Sequence, residues 1–248
     1  MPFDVGGTII NDFHVKYKNE TGIVRSGLVN YLDAGIVGSY PGSGTTWTDI
    51  TGNYNGTLTN GPSFNTGAGG YLQFDGSNDY VNLGNQSGLG FTNGNFTIDA
   101  WIYIPSSWTS GAQYPNLISK GAAAGWDTNG WSLFVFRAWS GPYAWGCGMR
   151  NGATNSITAR GSCPSDTYLN IVATANGSTV SLYENGSFYG NNSQAVSPAS
   201  NSTELWIGGE SQYGIYFPGR VGSVRLYNRA LSAAEVLQNY NATRQRFE

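Results

Sequence analysis

The stretch NFTIDAWIYI, Asn95–Ile104, alternates without a fault. Phe96, Ile98, Ala100, Ile102 and Ile104 fall on one side, Thr97, Asp99, Trp101 and Tyr103 on the other. Successive side chains of a strand point to opposite faces, so the pattern predicts a strand with one face in a core. Its second face is aromatic and polar. The same texture continues in both directions. Upstream are LVNYLDAG, from Leu28, and the paired short runs of YLQFDGSNDYVNLG, Tyr71–Gly84. Downstream, NLISKG, GWSLFVFRAW, YAWGCGMRNG, SITARGS, YLNIVATANGSTVSLYENGSFYG, ELWIGG and GRVGSVRLYNRAL read as further strands. Asn151-Gly152, Asn176-Gly177 and Asn185-Gly186 supply turn signals, because Asn-Gly enters the left-handed region readily. About a dozen strands, with turn signals every eight to twelve residues or so, predict an all-β fold: a two-sheet antiparallel jelly-roll sandwich.

Composition agrees. Only 11% of the 248 residues are charged, against roughly 25% in ordinary domains. The 36 glycines favour turns over helices. One helix is nevertheless predicted, in RALSAAEVLQNYNATR. Ser232 stands as N-cap with Glu235 three residues on, and Leu231 can staple to Val236. Val236, Leu237 and Tyr240 give it an apolar side, and its end is placed near Asn241. The Gly-rich connection from Ser39 to Phe64 reads as a surface segment anchored by Trp47. Residues 1–27 read as an N-terminal arm for docking, and it carries His14, the only histidine; residues 28–248 form the sandwich.

The net charge of −3 and the dispersal of Arg220, Arg225, Arg229, Arg244 and Arg246 argue against nucleic-acid binding. The opening MPFDVGGTII lacks a basic flank and apolar core, so no signal peptide is expected. No apolar run reaches spanning length, so no membrane insertion is expected. Cys147 and Cys163 lack metal-type spacing. A disulfide between neighbouring strands and two free thiols both stay open, with cytoplasmic synthesis favouring thiols.

Six pieces in order carry a resemblance: YLQFDGSNDYVNLG, FTIDAWIYI, ISKG…GWSLFVF, YLNIVATANGSTVSLYENG, LWIGG and FPGRVGSVRLYNRALSAAEV. Together they resemble the laminin-G-like, concanavalin A-like lectin and glucanase jelly rolls, over about Leu28 to Tyr240. The resemblance implies glycan or protein ligands on the concave sheet or at the loop rim. The opening YLDAG…YPGSGTTWTDITG…GTLTNGP and the ending YNRALSAAEVLQNYNATRQRF resemble domains of structural and appendage proteins of tailed bacteriophages. That implies a virion location, made in a host cytoplasm, with capsid or tail proteins as partners through the arm. Cell-surface glycans would be ligands, and a homo-oligomer is compatible.

Three chemistries bear on function. Glycoside hydrolysis needs two carboxylates flanking one bond, and no run of acids at two-residue intervals occurs, so an enzyme is the least favoured reading. Calcium needs six to eight or so oxygens. Asp75, Asn78 and Asp79 offer ligands around Gly76, but they equally build the turn by accepting backbone N–H groups. Possession of calcium stays open, with turn-building favoured. Glycans need aromatic faces beside amides and hydroxyls. Trp139, Tyr143 and Trp145 cluster around a loop, and Trp108 and Trp126 fall in Gly/Ser-rich segments. These five are the candidate sugar contacts, set against packing in the core. The reading is a virion surface protein, a capsid decoration or fibre-like appendage, that presents a lectin-like domain. The alternative is a free-standing carbohydrate-binding lectin module.

Overall fold

The computed structural model describes residues 22–109, 114–121, 129–137, 142–193, 195–210 and 214–248. Their strands, in chain order, are β1 (Leu28–Asp33), β2 (Thr46–Trp47), β3 (Gly56–Thr59), β4 (Ser63–Asn65), β5 (Tyr71–Gln73), β6 (Tyr80–Asn82), β7 (Asn95–Tyr103) and β8 (Asn116–Lys120). They continue with β9 (Gly130–Arg137), β10 (Tyr143–Asn151), β11 (Thr154–Cys163), β12 (Tyr168–Asn176), β13 (Val180–Glu184), β14 (Ser187–Asn192), β15 (Leu205–Ile207) and β16 (Arg220–Tyr227). One α-helix, α1 (Ala233–Thr243), follows.

The strands form two antiparallel sheets. The first runs β14-β13-β12-β7-β16-β5-β4 and the second β11-β10-β9-β8-β15-β6-β3-β2. In the first sheet β5 pairs with Arg220 and Val221 of β16, and β1 with Ser223 to Tyr227. Thus β1 and β5 share one edge of β16, end to end. The connection from Ser39 to Phe64 contributes β2 and β3 to the second sheet, with Trp47 fully buried as its anchor. Between β13 and β14, Asn185 and Gly186 form the two-residue turn, both at positive φ (50° and 74°). That geometry matches the twist of the strands it joins.

The core lies between the sheets. Phe96, Ile98, Ala100, Ile102 and Ile104 pack in one cluster with Trp131, Leu133, Val135 and Trp145 of the second sheet. The other face of β7 is buried too. Thr97, Asp99 and Trp101 are at most 1% exposed, because the segment from Arg229 through α1 to Phe247 lies on them. Trp101 Nε1 donates to Thr243 Oγ1 (2.8 Å), and its ring stacks on Phe247 at 4.4 Å. Asn239 Nδ2 donates to Asp99 Oδ2 (3.1 Å). The helix therefore buries Val236, Asn239 and Thr243, while Leu237, expected on its packed side, is 46% exposed. A polar sheet face selects a polar helix face. The helix reaches Thr243, two residues past its expected end.

The predicted capping box is present: Ser232 Oγ accepts from Glu235 N and Glu235 Oε2 accepts from Ser232 N. Leu231 and Val236 join Val24, Val172, Tyr183 and Tyr227 in a second apolar cluster. Hydrogen bonds from Arg229, working against partial burial, hold the Glu235 carboxyl at about 2, below its ordinary 4.5. A depressed carboxyl contributes stability above its unfolded value and loses it as pH falls through the folded one. Glu235→Gln is expected to cost about 1 kcal/mol at pH 7. The gap to the parent chain should close between pH 4.5 and about 2. Thermal melts of both proteins across that range check it; a gap unchanged at pH 2 contradicts it.

Residues 22–27 pack with the sandwich: Ile23 and Val24 are buried, and Val24 N donates to Asn239 Oδ1. The rest of the expected arm, with His14, lies outside the described residues. Neither cysteine is in a disulfide, and both are buried. Cys147 sits opposite Thr158 and Cys163 opposite Tyr143. Four strand positions separate them along β10, about 13 Å at 3.3 Å or so per residue, and a disulfide needs Cα atoms within about 7 Å. Burial pushes the Cys147 thiol up to about 12. Among the described residues no helix is long and apolar enough to cross a membrane.

Candidate functional site

The described aromatic candidates, Trp108, Tyr143 and Trp145, do not present ring faces. Along β10, Tyr143, Trp145, Cys147 and Met149 all point into the core cluster. Trp145 is 0% exposed, and its Nε1 donates to Glu184 Oε2 (3.2 Å). The strand's alternation runs through the segment read as a loop and turns these rings inward. Trp108 is buried and stacks on Tyr143 at 5.6 Å; the Tyr143 hydroxyl lies 3.0 and 2.8 Å from the Ser106 and Trp108 carbonyls. Trp126 and Trp139 lie outside the described residues.

The acids of the Tyr71–Gly84 turn are occupied with backbone. Asp75 Oδ1 accepts from Ser77 N (2.8 Å) and Asn78 N (3.2 Å), and Asp79 Oδ2 accepts from Asp75 N (3.1 Å). Partial burial raises Asp75, and the N–H groups of Ser77, Asn78 and Asp79 outweigh it, leaving the carboxyl low. Burial, with the neighbouring Asp75 charge, raises Asp79. Asn60 Nδ2 donates to the Asn78 backbone carbonyl (2.9 Å), a further bond that fixes the turn. Among the described residues no group of three or more His, Cys, Asp or Glu is placed to hold a metal ion. The fold does bring Asp75 and Trp108 together, with Pro105, Ser107, Thr109 and Pro218, around a recess of about 290 Å³.

A larger cavity, about 500 Å³, opens elsewhere, where β8 ends. Every residue of β8 is buried, its last included: Lys120 is 1% exposed. Asn201 holds that strand end. Its Nδ2 donates to the Lys120 carbonyl (3.1 Å) and the Asn129 carbonyl (2.8 Å), and its Oδ1 accepts from Thr203 N (3.0 Å). Glycines at 121 and 130 make room for it, since a Cβ at either would come within 2.7 Å of Asn201 Nδ2. The facing loop is equally fixed. The Leu89 carbonyl accepts from Trp131 Nε1 (2.8 Å), and Leu83 and Gly84 exchange backbone bonds with Leu205. With its apolar residues drawn inward, this loop leaves Asn85, Ser87 and Thr92 at the cavity, opposite Ser200, Asn201 and Ser202. Lys120 Nζ donates to Asn85 Oδ1 (2.9 Å) and the Thr203 carbonyl (2.7 Å). Burial lowers its pKa.

No hydrocarbon side chain lines this cavity; hydroxyls, amides, Gly90 and one ammonium do. Beside it, on the outer face of the second sheet, Tyr80 stacks on Trp206 at 3.7 Å. Glu204 Oε2 there accepts from Trp206 Nε1 and Asn82 Nδ2. None of the cavity residues was among the sequence candidates. The one sequence signal is that Lys120 is the only lysine beyond residue 18, and it ends an otherwise uncharged strand.

Comparison with known proteins bears on the fold. Residues 75–237 match the family model described as the concanavalin A-like lectin/glucanases superfamily. A search of curated proteins finds no match. Among solved structures, the binding domain of Paraclostridial Mosquitocidal Protein 1 superposes with a TM-score of 0.67 at 19% identity, over 87% of this chain and 52% of that one. A Trypanosoma rangeli sialidase in complex with 2,3-difluorosialic acid gives 0.63 at 20% identity, over 91% and 35%. The binding domain of botulinum neurotoxin serotype D gives 0.64 at 14% identity, over 87% and 51%. The chain thus spans about half or less of the length of each. Similarity at these identities speaks for architecture alone, and it agrees with the family match over more than half the sequence: the chain belongs to the concanavalin A-like lectin/glucanases superfamily.

Proposed function

We propose that the chain is a non-enzymatic glycan-binding module whose saccharide site is the cavity at Lys120. The observation that carries this is the lining. Ser87, Thr92, Ser200 and Ser202 offer hydroxyls, and Asn85 and Asn201 offer amides, with no apolar side chain among them. An apolar ligand entering such a site would strip water from these groups and return nothing. A sugar ring carries donor-acceptor hydroxyls around its rim and can replace that water bond for bond. Glycoside hydrolysis requires two carboxylates, and no acid is among the lining residues. The similarity to toxin binding domains supports a binding role at the level of architecture.

The finer reading places the module on a virion, as a decoration or fibre-like appendage docked through its arm to capsid or tail proteins. It rests on the layout of the sequence's two ends. The described root of the arm supports it. The Gly22 carbonyl accepts from Gln238 Nε2 (2.7 Å), so the arm leaves from beside α1, over the outer face of the first sheet. The one strand residue that lines the cavity, Lys120, ends β8 of the second sheet, the opposite layer, so an arm-held module would leave the cavity open.

The test is a glycan array probed with the full chain, then calorimetry on the best binder. Saturable binding, one site per chain, is expected, and Ser202→Trp should abolish it by filling the cavity. Absence of binding, or binding indifferent to that substitution, overturns the site. Deleting residues 1–21 should abolish co-sedimentation with phage particles and leave sugar affinity unchanged.

A further inference from the structure

Among the described residues three cations lie deep in the fold. Arg225 is 0% exposed and holds Asp99 at 2.8 Å, and Arg246 is 5% exposed and holds Asp33 at 2.6 Å. Lys120, 1% exposed, has only neutral oxygens, the Asn85 amide and the Thr203 carbonyl, for its three protons. An ammonium withdrawn from water costs several kcal/mol or so unless an opposite charge or full hydrogen bonding offsets it. In this chain the other two buried cations have that charge built in. Asp127, the acid nearest along the chain, lies outside the described residues; Glu204, next to Thr203, has its carboxylate turned away to Asn82 Nδ2 and Trp206 Nε1 on the outer sheet face. No counter-charge stands at Lys120 among the described residues, and the cavity it lines is open to one.

Resting on the saccharide reading of that cavity, we propose that its ligand is an acidic saccharide, with a carboxylate or ester sulfate seated against Lys120 while the surrounding hydroxyls and amides take the ring. The shared chemistry is an oxyanion on a sugar. Its charge supplies what Asp99 and Asp33 supply to the two arginines. The chain's net charge of −3 does not attract anions in general, so the preference is local to the cavity and shared by no diffuse basic surface.

The test is a panel of matched oligosaccharides, each present as the neutral form, its uronate and its 6-sulfate. Affinities are measured by calorimetry on the full chain, on Lys120→Met, which keeps the stem and removes the charge, and on Lys120→Arg. The charged member of a bound set should bind about tenfold or more tighter than the neutral one at low salt, with the gap narrowing in high salt. Lys120→Met should erase that gap; Lys120→Arg should retain part of it. Melting curves of both variants confirm that they fold. A preference confined to uronates or to sulfates identifies the anion and upholds the inference. Equal binding of neutral and charged members, or a gap that survives Lys120→Met, overturns the anion and leaves the glycan site standing. No binding by any member overturns both.

Discussion

Asp99→Ala is expected to lower stability by about 3–5 kcal/mol, a fall in Tm of about 10 °C for a chain of this size. Asp99 is 0% exposed at the meeting of three strands and the helix. It accepts from Arg225 Nη1 on β16 (2.8 Å), Asn170 Nδ2 on β12 (2.7 Å) and Asn239 Nδ2 on α1 (3.1 Å). Removing the carboxylate strips the Arg225 guanidinium of its counter-charge in a place water does not reach, and takes an acceptor from two buried amides. The cost comes from what is left behind, so deleting both charges should hurt less than deleting one. Asp99→Leu with Arg225→Met should recover at least about half of the loss. Urea unfolding of the parent, the single and the double variant measures both. A single variant within about 1 kcal/mol of the parent would show that the buried pair is not what fastens α1 to the sheet.

Local patterns were legible, and contacts between distant segments were not. Period-two alternation marked β7 and sorted its inner face correctly, because that pattern is a property of ten adjacent residues. Ser232 and Glu235 announced the helix start for the same reason. The outer side chains of β7 were another matter. Asp99 and Trp101 read as an open aromatic and polar face, yet they are the seat of α1, whose residues lie some 140 positions on. Nothing in a strand's own sequence says what covers its second side. Trp145 was misplaced because RAWSGPYAW reads as a loop; its last three residues instead open β10, whose alternation turns Tyr143 and Trp145 into the core. The cavity was the least legible feature. Lys120 meets Asn85 and Thr203 from 35 and 83 residues away, and Ser, Asn and Thr are so common in this chain that no pattern among them stands out.

Ending the chain at Gln245 should be more damaging still. The three residues removed close the junction where β1 and β5 meet end to end along β16. Arg246 grips Asp33 at the end of β1 with two bonds of 2.6 and 2.7 Å and reaches the Gly69 carbonyl, just before β5, at 3.2 Å. Phe247 covers Trp101 and sits over Gly222, where an added Cβ would come within 2.5 Å of its ring. Losing Arg246 strands the fully buried Asp33, at about 3–5 kcal/mol. Losing a packed phenylalanine costs about 3–5 kcal/mol more. The two side chains touch, the guanidinium standing 4.8 Å from the ring centre, so their losses will not simply add. Even a partial sum rivals the roughly 5–15 kcal/mol that holds a typical domain together. The shortened chain should therefore be unfolded, or melt at least about 15 °C below the parent, with Arg246→Ala and Phe247→Ala each falling between. Circular dichroism melts of the four proteins decide it. A shortened chain melting within about 3 °C of the parent would mean that β1 and β5 hold to β16 by their strand pairing alone, and that the polar face of the first sheet does not need its cover.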